Sequence, residues 1–272
     1  MGAWSEGLVG GSRRAPSGWH IIRAIARREI GIALRRRHVR LLFLGSLVPP
    51  VVFGIILVVR LMAEKAVGVD LGWDPVLRFL QVQVAPVLLL SLGLGTPLVA
   101  RDRAEDVLYL YAVRPVSPWH YALGKMLAVA GPAFALLLLP GLLIAVLRQG
   151  LLPDEVSFAD SAILVGRMAL AAVFLSLAYA GASVGPSAAV KRARWALLLA
   201  LALFTVPDSL IELVFGEHAF PIGPAKASES LLSALFEHRD PGGGAVCALV
   251  LLLYFVAGSL VTVMRVRTEM RP

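Results

Sequence analysis

The sequence has 272 residues, 58% of them hydrophobic and only 16% charged, with a mean hydropathy of +0.79. A soluble domain of this length carries about 25% charged residues, so lipid is the expected solvent over much of this surface. The net charge of +8 would suit a nucleic-acid binder, but the basic residues flank apolar runs and form no aromatic-interleaved patch, so no nucleic-acid partner is expected. The single cysteine, Cys247, excludes an intrachain disulfide and a cysteine-rich metal site.

In chain order, residues 1–16 contain Gly and Ser without periodicity and read as a flexible cytoplasmic tail. Apolar sequence starts only at Leu41, behind an arginine-rich stretch too long for a signal peptide, and Glu6 breaks the myristoylation pattern. Residues 17–40 read as an amphipathic interfacial helix. Ile21, Ile22, Ile25 and Ile32 share one face, and Arg23, Arg27, Arg28 and Arg35 occupy the other. Such a helix lies with its apolar side in acyl chains and its arginines among anionic headgroups.

Residues 41–272 form the membrane domain. A helix needs about 20 apolar residues to cross roughly 30 Å of hydrocarbon. Uncharged runs of that order occur at Leu41 to Val59, Phe79 to Ala100, Met126 to Leu147, Met168 to Val190 and Pro241 to Met264. A sixth begins at Trp195 and is interrupted by Asp208 and Glu212. The expected fold is therefore an all-α integral membrane protein with six transmembrane helices.

Lys and Arg residues in short loops orient such a chain. Most of the 26 fall before the first span (Arg13 to Arg40), between the second and third (Arg101 to Lys125), between the fourth and fifth (Lys191 to Arg194), and at the C-terminus (Arg265 to Arg271). The other side holds only Arg60, Lys65, Arg78, Arg148, Arg167, Lys226 and Arg239. Both termini are thus expected in the cytoplasm. The outer loop 216–244 contains a short apolar face at Leu231, Leu232, Leu235 and Phe236, which suggests a small helix dipping into the outer leaflet.

The loop 101–125 is the most informative stretch. Arg101-Asp102-Arg103-Ala104-Glu105-Asp106 is a charged cluster leading into a short helix with apolar positions at Val107, Leu108 and Tyr111. Arg114-Pro115 ends that helix, because proline disfavours the helical region for its predecessor. Ser117 is a good N-cap and Pro118 a good first helical residue, so the third span starts there. The apolar and aromatic positions have no obvious partner within the chain.

This segment resembles the cytoplasmic coupling helix of ABC transporter permeases of the type-2 export class. There, a charged cluster precedes a Gly-Thr-Leu-Glu-Leu-Leu-like helix, a basic residue with Pro-Val-Ser, then an aromatic and Leu-Gly-Lys. Arg103, Glu105, Leu108, Leu110, Arg114, Pro115, Val116, Ser117, Trp119, Leu123, Gly124 and Lys125 fall in step with that pattern. The departures are Asp106-Val107 for Gly-Thr, Tyr109 for an acid and Pro118 for a basic residue. The match covers residues 101–125; the rest of the chain agrees in layout.

What the resemblance implies is a permease subunit in a bacterial inner membrane, exporting a substrate as a homodimer with ATP-binding-cassette ATPase subunits. Glu105, Leu108, Tyr111, Arg114, Pro115, Ser117 and Trp119 would dock on the ATPase. This chain itself would catalyse nothing and bind no cofactor, with ATP and Mg held by the partner. Independently of the resemblance, Gly124-Lys125-Met126 lacks the flanking residues of a phosphate-binding loop. The alternatives are an ATPase-coupled membrane anchor of a motility or secretion machine, and a membrane-embedded enzyme.

Three further features bear on function. Gly181-Ala182-Ser183-Val184-Gly185 matches the hydrolase nucleophile elbow, but it lies in a span with no histidine, so close helix packing is the expected role. The five histidines are scattered and the methionines isolated, giving no metal site. Gln81, Gln83, Ser91 and Thr96 give the second span polar character and would place it beside a translocation path. Finally, Arg167, Asp208 and Glu212 fall at similar depth near the outer end. A lone charge there costs a few kcal/mol, so Arg167 is expected to pair with Asp208, or else Glu212, as an outer gate.

Overall fold

A computed structural model describes residues 17–67, 75–108, 116–151, 157–216, 220–237 and 241–270. The tail 1–16 lies outside them. Ten helices follow in order among the described residues: α1 Gly18–Leu34, α2 Arg37–Gly45, α3 Val48–Val67, α4 Pro75–Gly95, α5 Leu98–Ala104, α6 Pro118–Leu151, α7 Phe158–Ala189, α8 Ala193–Phe215, α9 Pro224–Phe236 and α10 Pro241–Glu269. Six stretches are long and apolar enough to cross a membrane: Arg37–Arg60, Val76–Ala104, Pro118–Gly150, Phe158–Ala189, Ala193–Phe215 and Gly242–Glu269. Each contains or overlaps a run read from the sequence. The chain is a multi-pass membrane protein.

Between helices in lipid, association rests on close packing and hydrogen bonds rather than on the hydrophobic effect. The small residues of α7 serve that end. A Cβ placed on Gly185 would sit 2.9 Å from the Cα of Gly258, and one on Gly181 would strike the backbone of Tyr254 and Phe255. The Gly-x-Ser-x-Gly stretch is therefore a backbone-to-backbone seam between α7 and α10. Ser183 donates to the carbonyl of Tyr179, 2.7 Å away.

Prolines kink several spans, and each leaves a carbonyl four residues earlier without its helical donor. Gln83 answers two of these. Its Nε2 donates to the carbonyl of Ser46, orphaned by Pro50, at 2.9 Å, and to that of Leu136, orphaned by Pro140, at 3.2 Å. It is fully buried between the first and third spans. Ser91 and Thr96 donate back to their own helix at Val87 and Leu92. Of these groups, Gln83 ties the second span to the first and third, while Ser91 and Thr96 bond only to the carbonyls one turn before them.

The two amphipathic segments differ from expectation. The segment 17–40 is not one helix, since it breaks at Arg35–Arg36 between α1 and α2. Ile25, Ala26 and Ala33 of α1 are buried in the protein, with Ile25 against Gly124 of α6, while Arg23, Arg27, Arg28 and Arg35 are exposed. In α9, Leu231 and Leu232 are fully buried against the spans rather than turned outward. Tyr179 of α7 fixes α9 by donating to Ser228 at 3.1 Å, and Tyr179 also meets Phe204 of α8 edge to face at 5.4 Å.

Candidate functional site

At the end of the bundle that holds α1 and the last turn of α10, α5 is the centre of a buried ionic network. The N-terminus of α5 begins at Pro97, which offers no side-chain cap. Ser187 of α7 supplies one instead, its Oγ accepting from the N–H groups of Val99 and Ala100, both at 3.0 Å. The C-terminus closes through Asp106, whose φ of 52° is the one positive value for a non-glycine among the described residues. There the N–H of Val107 donates to the carbonyl of Asp102 at 2.9 Å, a Schellman-type stop.

Asp102 and Arg103 on this short helix face opposite neighbours. Asp102 Oδ2 lies 2.6 Å from Lys125 Nζ and accepts from the Tyr121 hydroxyl at 2.8 Å. Tyr121 and Lys125 are one turn apart on α6, and the ammonium also sits 5.2 Å from the Tyr121 ring centre. Lys125 is completely buried and donates further to Glu29 Oε1 at 2.9 Å and to the Leu98 carbonyl at 3.3 Å. Arg101 approaches Glu29 Oε2 at 3.7 Å. On the other side, Arg103 holds Glu269 of α10 through Nε at 2.8 Å and Nη2 at 2.7 Å, and donates from Nη1 to the Ala188 carbonyl at 2.7 Å. That carbonyl is in the last turn of α7, where a cation is favoured.

Three carboxylates and three cations thus meet, and four of them, Glu29, Asp102, Arg103 and Lys125, are buried. Buried ions are tolerated only when paired and hydrogen-bonded, and this set joins α1, α5, α6, α7 and α10 into one block. Sequence reading singled out the 101–125 segment but missed Glu29 and Glu269. Glu29 had a signal: it follows Ile22 and Ile25 at helical spacing, an acid on an apolar face. Glu269 had none, because a C-terminal acid among arginines reads as solvated.

The residues of 101–125 expected to dock on a partner differ in exposure. Glu105 is exposed at the C-cap of α5, and Trp119 is 48% exposed. Ser117 caps α6 as expected, its Oγ accepting from the N–H of His120 at 3.2 Å. Leu108, expected to face a partner, is instead 3% exposed and part of the main apolar core. Tyr111, Arg114 and Pro115 lie outside the described residues.

At the opposite end, roughly 22 Å along α8 from Ala193, Asp208 ends a buried stripe of Ala196, Ala200 and Phe204. Its Oδ1 accepts from the N–H of Gly223 at 2.7 Å and its Oδ2 from the N–H of Lys226 at 3.2 Å. Asp208 therefore caps α9, whose own N-cap is a glycine, and a Cβ on Gly223 would collide with it. Both oxygens of the carboxylate expected to face Arg167 are here engaged by these backbone donors. Glu212 is also taken otherwise: it accepts from Lys226 Nζ at 2.7 Å, and that hydrogen bond raises the Lys226 pKa above its ordinary value.

No protein-family model matches this sequence, and no curated protein matches it. Among the described residues, no group of three or more His, Cys, Asp or Glu side chains could hold a metal.

Proposed function

We propose that the chain is the permease subunit of an ATP-binding-cassette exporter of the type-2 class. It sits in a bacterial cytoplasmic membrane with both termini inside, alongside a second permease subunit. Separate ATPase subunits bind ATP and Mg and supply the work. The first and fifth spans are the least buried of the six, which suits them to receive the second copy.

The observation that carries this reading is the turn after α5. Asp106 adopts the left-handed conformation that glycine takes most readily, and it stands where the resembled coupling segment has its glycine. Glycine would take the same φ without strain, so the departure at this position is compatible with the resemblance. Aspartate is among the few other residues that tolerate such a φ.

The buried network gives the segment a mechanical role. A push on the exposed side chains of Glu105 and Trp119 would be resisted by ion pairs to α1, α6 and α10, and so passed to several spans together. Close-packed interiors shift between discrete arrangements rather than deforming smoothly. Purification of the tagged protein from its native membrane tests the reading. A nucleotide-binding ATPase is expected to accompany it, and Trp119→Asp or Glu105→Lys, both at exposed positions, should remove that partner without loss of membrane insertion. Recovery of the chain with no ATPase, or with one indifferent to both changes, would contradict it.

A further inference from the structure

The break between α1 and α2 places four arginines at one corner. Arg35 ends α1, Arg36 is the N-cap of α2, and Arg37 and Arg40 lie in the first turn of α2. Arg35, Arg37 and Arg40 are exposed and Arg36 is half-buried. None of the four forms an ion pair with an acid among the described residues. The uncapped start of α2 adds its own partial positive charge. Burial and the neighbouring Arg101 lower the Arg36 pKa, with Glu29 and Glu105 opposing in part. The corner holds more positive charge than the described residues neutralise.

Next to this corner, toward the middle of the spans, is a cleft of about 190 Å³. Leu34 of α1, Val39 and Phe43 of α2, Leu94 of α4 and Pro132 of α6 bound it, and every lining side chain is apolar. Phe43 is about two turns along α2 from Arg36, and Pro132 about two turns along α6 from Lys125, roughly 10 Å of rise in each case. The cleft thus runs from the level of the arginines into the depth of the spans. Val39 and Leu94 are nearly inaccessible, while Leu34 at its mouth is 41% exposed.

We propose that this corner and cleft bind one anionic phospholipid, its phosphate among Arg36, Arg37 and Arg40 and an acyl chain in the cleft. Charge complementarity selects the headgroup, and the apolar lining selects a lipid over a free anion. The site differs from a diffuse attraction of the basic face of α1, since Arg27 and Arg28 lie about two turns along α1 from the corner at Arg35 and Arg36. It also abuts the ionic network through Arg36 and Arg101, so an occupied site would screen the repulsion between those two cations.

Native mass spectrometry of the detergent-purified protein, titrated with phosphatidylglycerol and phosphatidylcholine, tests this. The wild type should retain phosphatidylglycerol preferentially. Arg36→Gln with Arg37→Gln should weaken that retention about 30-fold, two basic contacts at about 1 kcal/mol each, and leave phosphatidylcholine unchanged. Arg37→Gln with Arg40→Gln, both at exposed positions, should act the same way even if the Arg36 change disturbs the fold. Leu34→Trp, which fills the mouth of the cleft and keeps every arginine, should weaken both lipids. Arg27→Gln with Arg28→Gln should change nothing, and glycerol 3-phosphate should not compete. Equal retention of the two lipids by the wild type would overturn the proposal. So would equal losses in the Arg27/Arg28 and corner variants, or full competition by glycerol 3-phosphate.

Discussion

The two ends of the bundle hold their buried charge in opposite ways. Around α5, side chains pair with side chains from helices far apart in the sequence: Glu29 with Lys125, and Arg103 with Glu269. Around α9, the buried carboxylate of Asp208 accepts from backbone N–H groups only a short way down the chain. An ion pair there, Lys226 with Glu212, is exposed. An ion pair between buried side chains is unforgiving, because losing one member strands the other in low dielectric. A carboxylate on a helix N-terminus can be replaced by a neutral acceptor at modest cost. One end joins its helices through buried side-chain pairs; the other holds the start of α9 through its backbone.

Substitutions at the two ends should separate these behaviours. The largest effect is expected from Lys125→Met, which leaves Glu29 and Asp102 facing each other without their shared cation. A loss of about 3–5 kcal/mol follows, read as poor recovery and early thermal unfolding in detergent. Arg103→Leu comes next. It frees the Ala188 carbonyl and Glu269, but Glu269 is 30% exposed and can find water, so about 1–3 kcal/mol is expected. If Arg103→Leu proved as damaging as Lys125→Met, the block would be more uniform than its burial suggests.

At the other end, Asp208→Asn keeps an acceptor for Gly223 and removes the charge. The expected loss is about 1 kcal/mol, with proteolysis of the α8–α9 connection rising before the spans themselves unfold. Protection of that connection unchanged from wild type would remove the contrast between the ends. The smallest effect belongs to Lys226→Ala, which should leave thermal unfolding unaltered, as exposed ion pairs contribute little.

The layout of the spans was legible because it depends on apolar length alone, and the start of α6 because Ser117 and Pro118 act locally. The partners of buried groups were not legible. Asp208 and Glu212 were visible as charges in an apolar span, yet nothing local says that Gly223 and Lys226 supply the donors. Gln83 reads as polarity in a span, and only the crossing of three helices reveals that it serves carbonyls freed by Pro50 and Pro140. The amphipathic pattern of α1 was read correctly as a pattern. It does not state whether the apolar face meets lipid or α6, and the small residue Gly124 decides in favour of α6. Leu108 shows the same ambiguity: an apolar residue in a loop can serve a partner or the chain's own core.

The ionic network locks α1 and α6 together through Glu29 and Lys125. A double-mutant cycle with Glu29→Gln and Lys125→Met, read by thermal unfolding in one detergent, tests it most directly. The two side chains are expected to couple by about 1–3 kcal/mol, so that the double variant is no less stable than Lys125→Met alone. Additive losses would mean that the two groups are stabilised independently, and the lock would not exist.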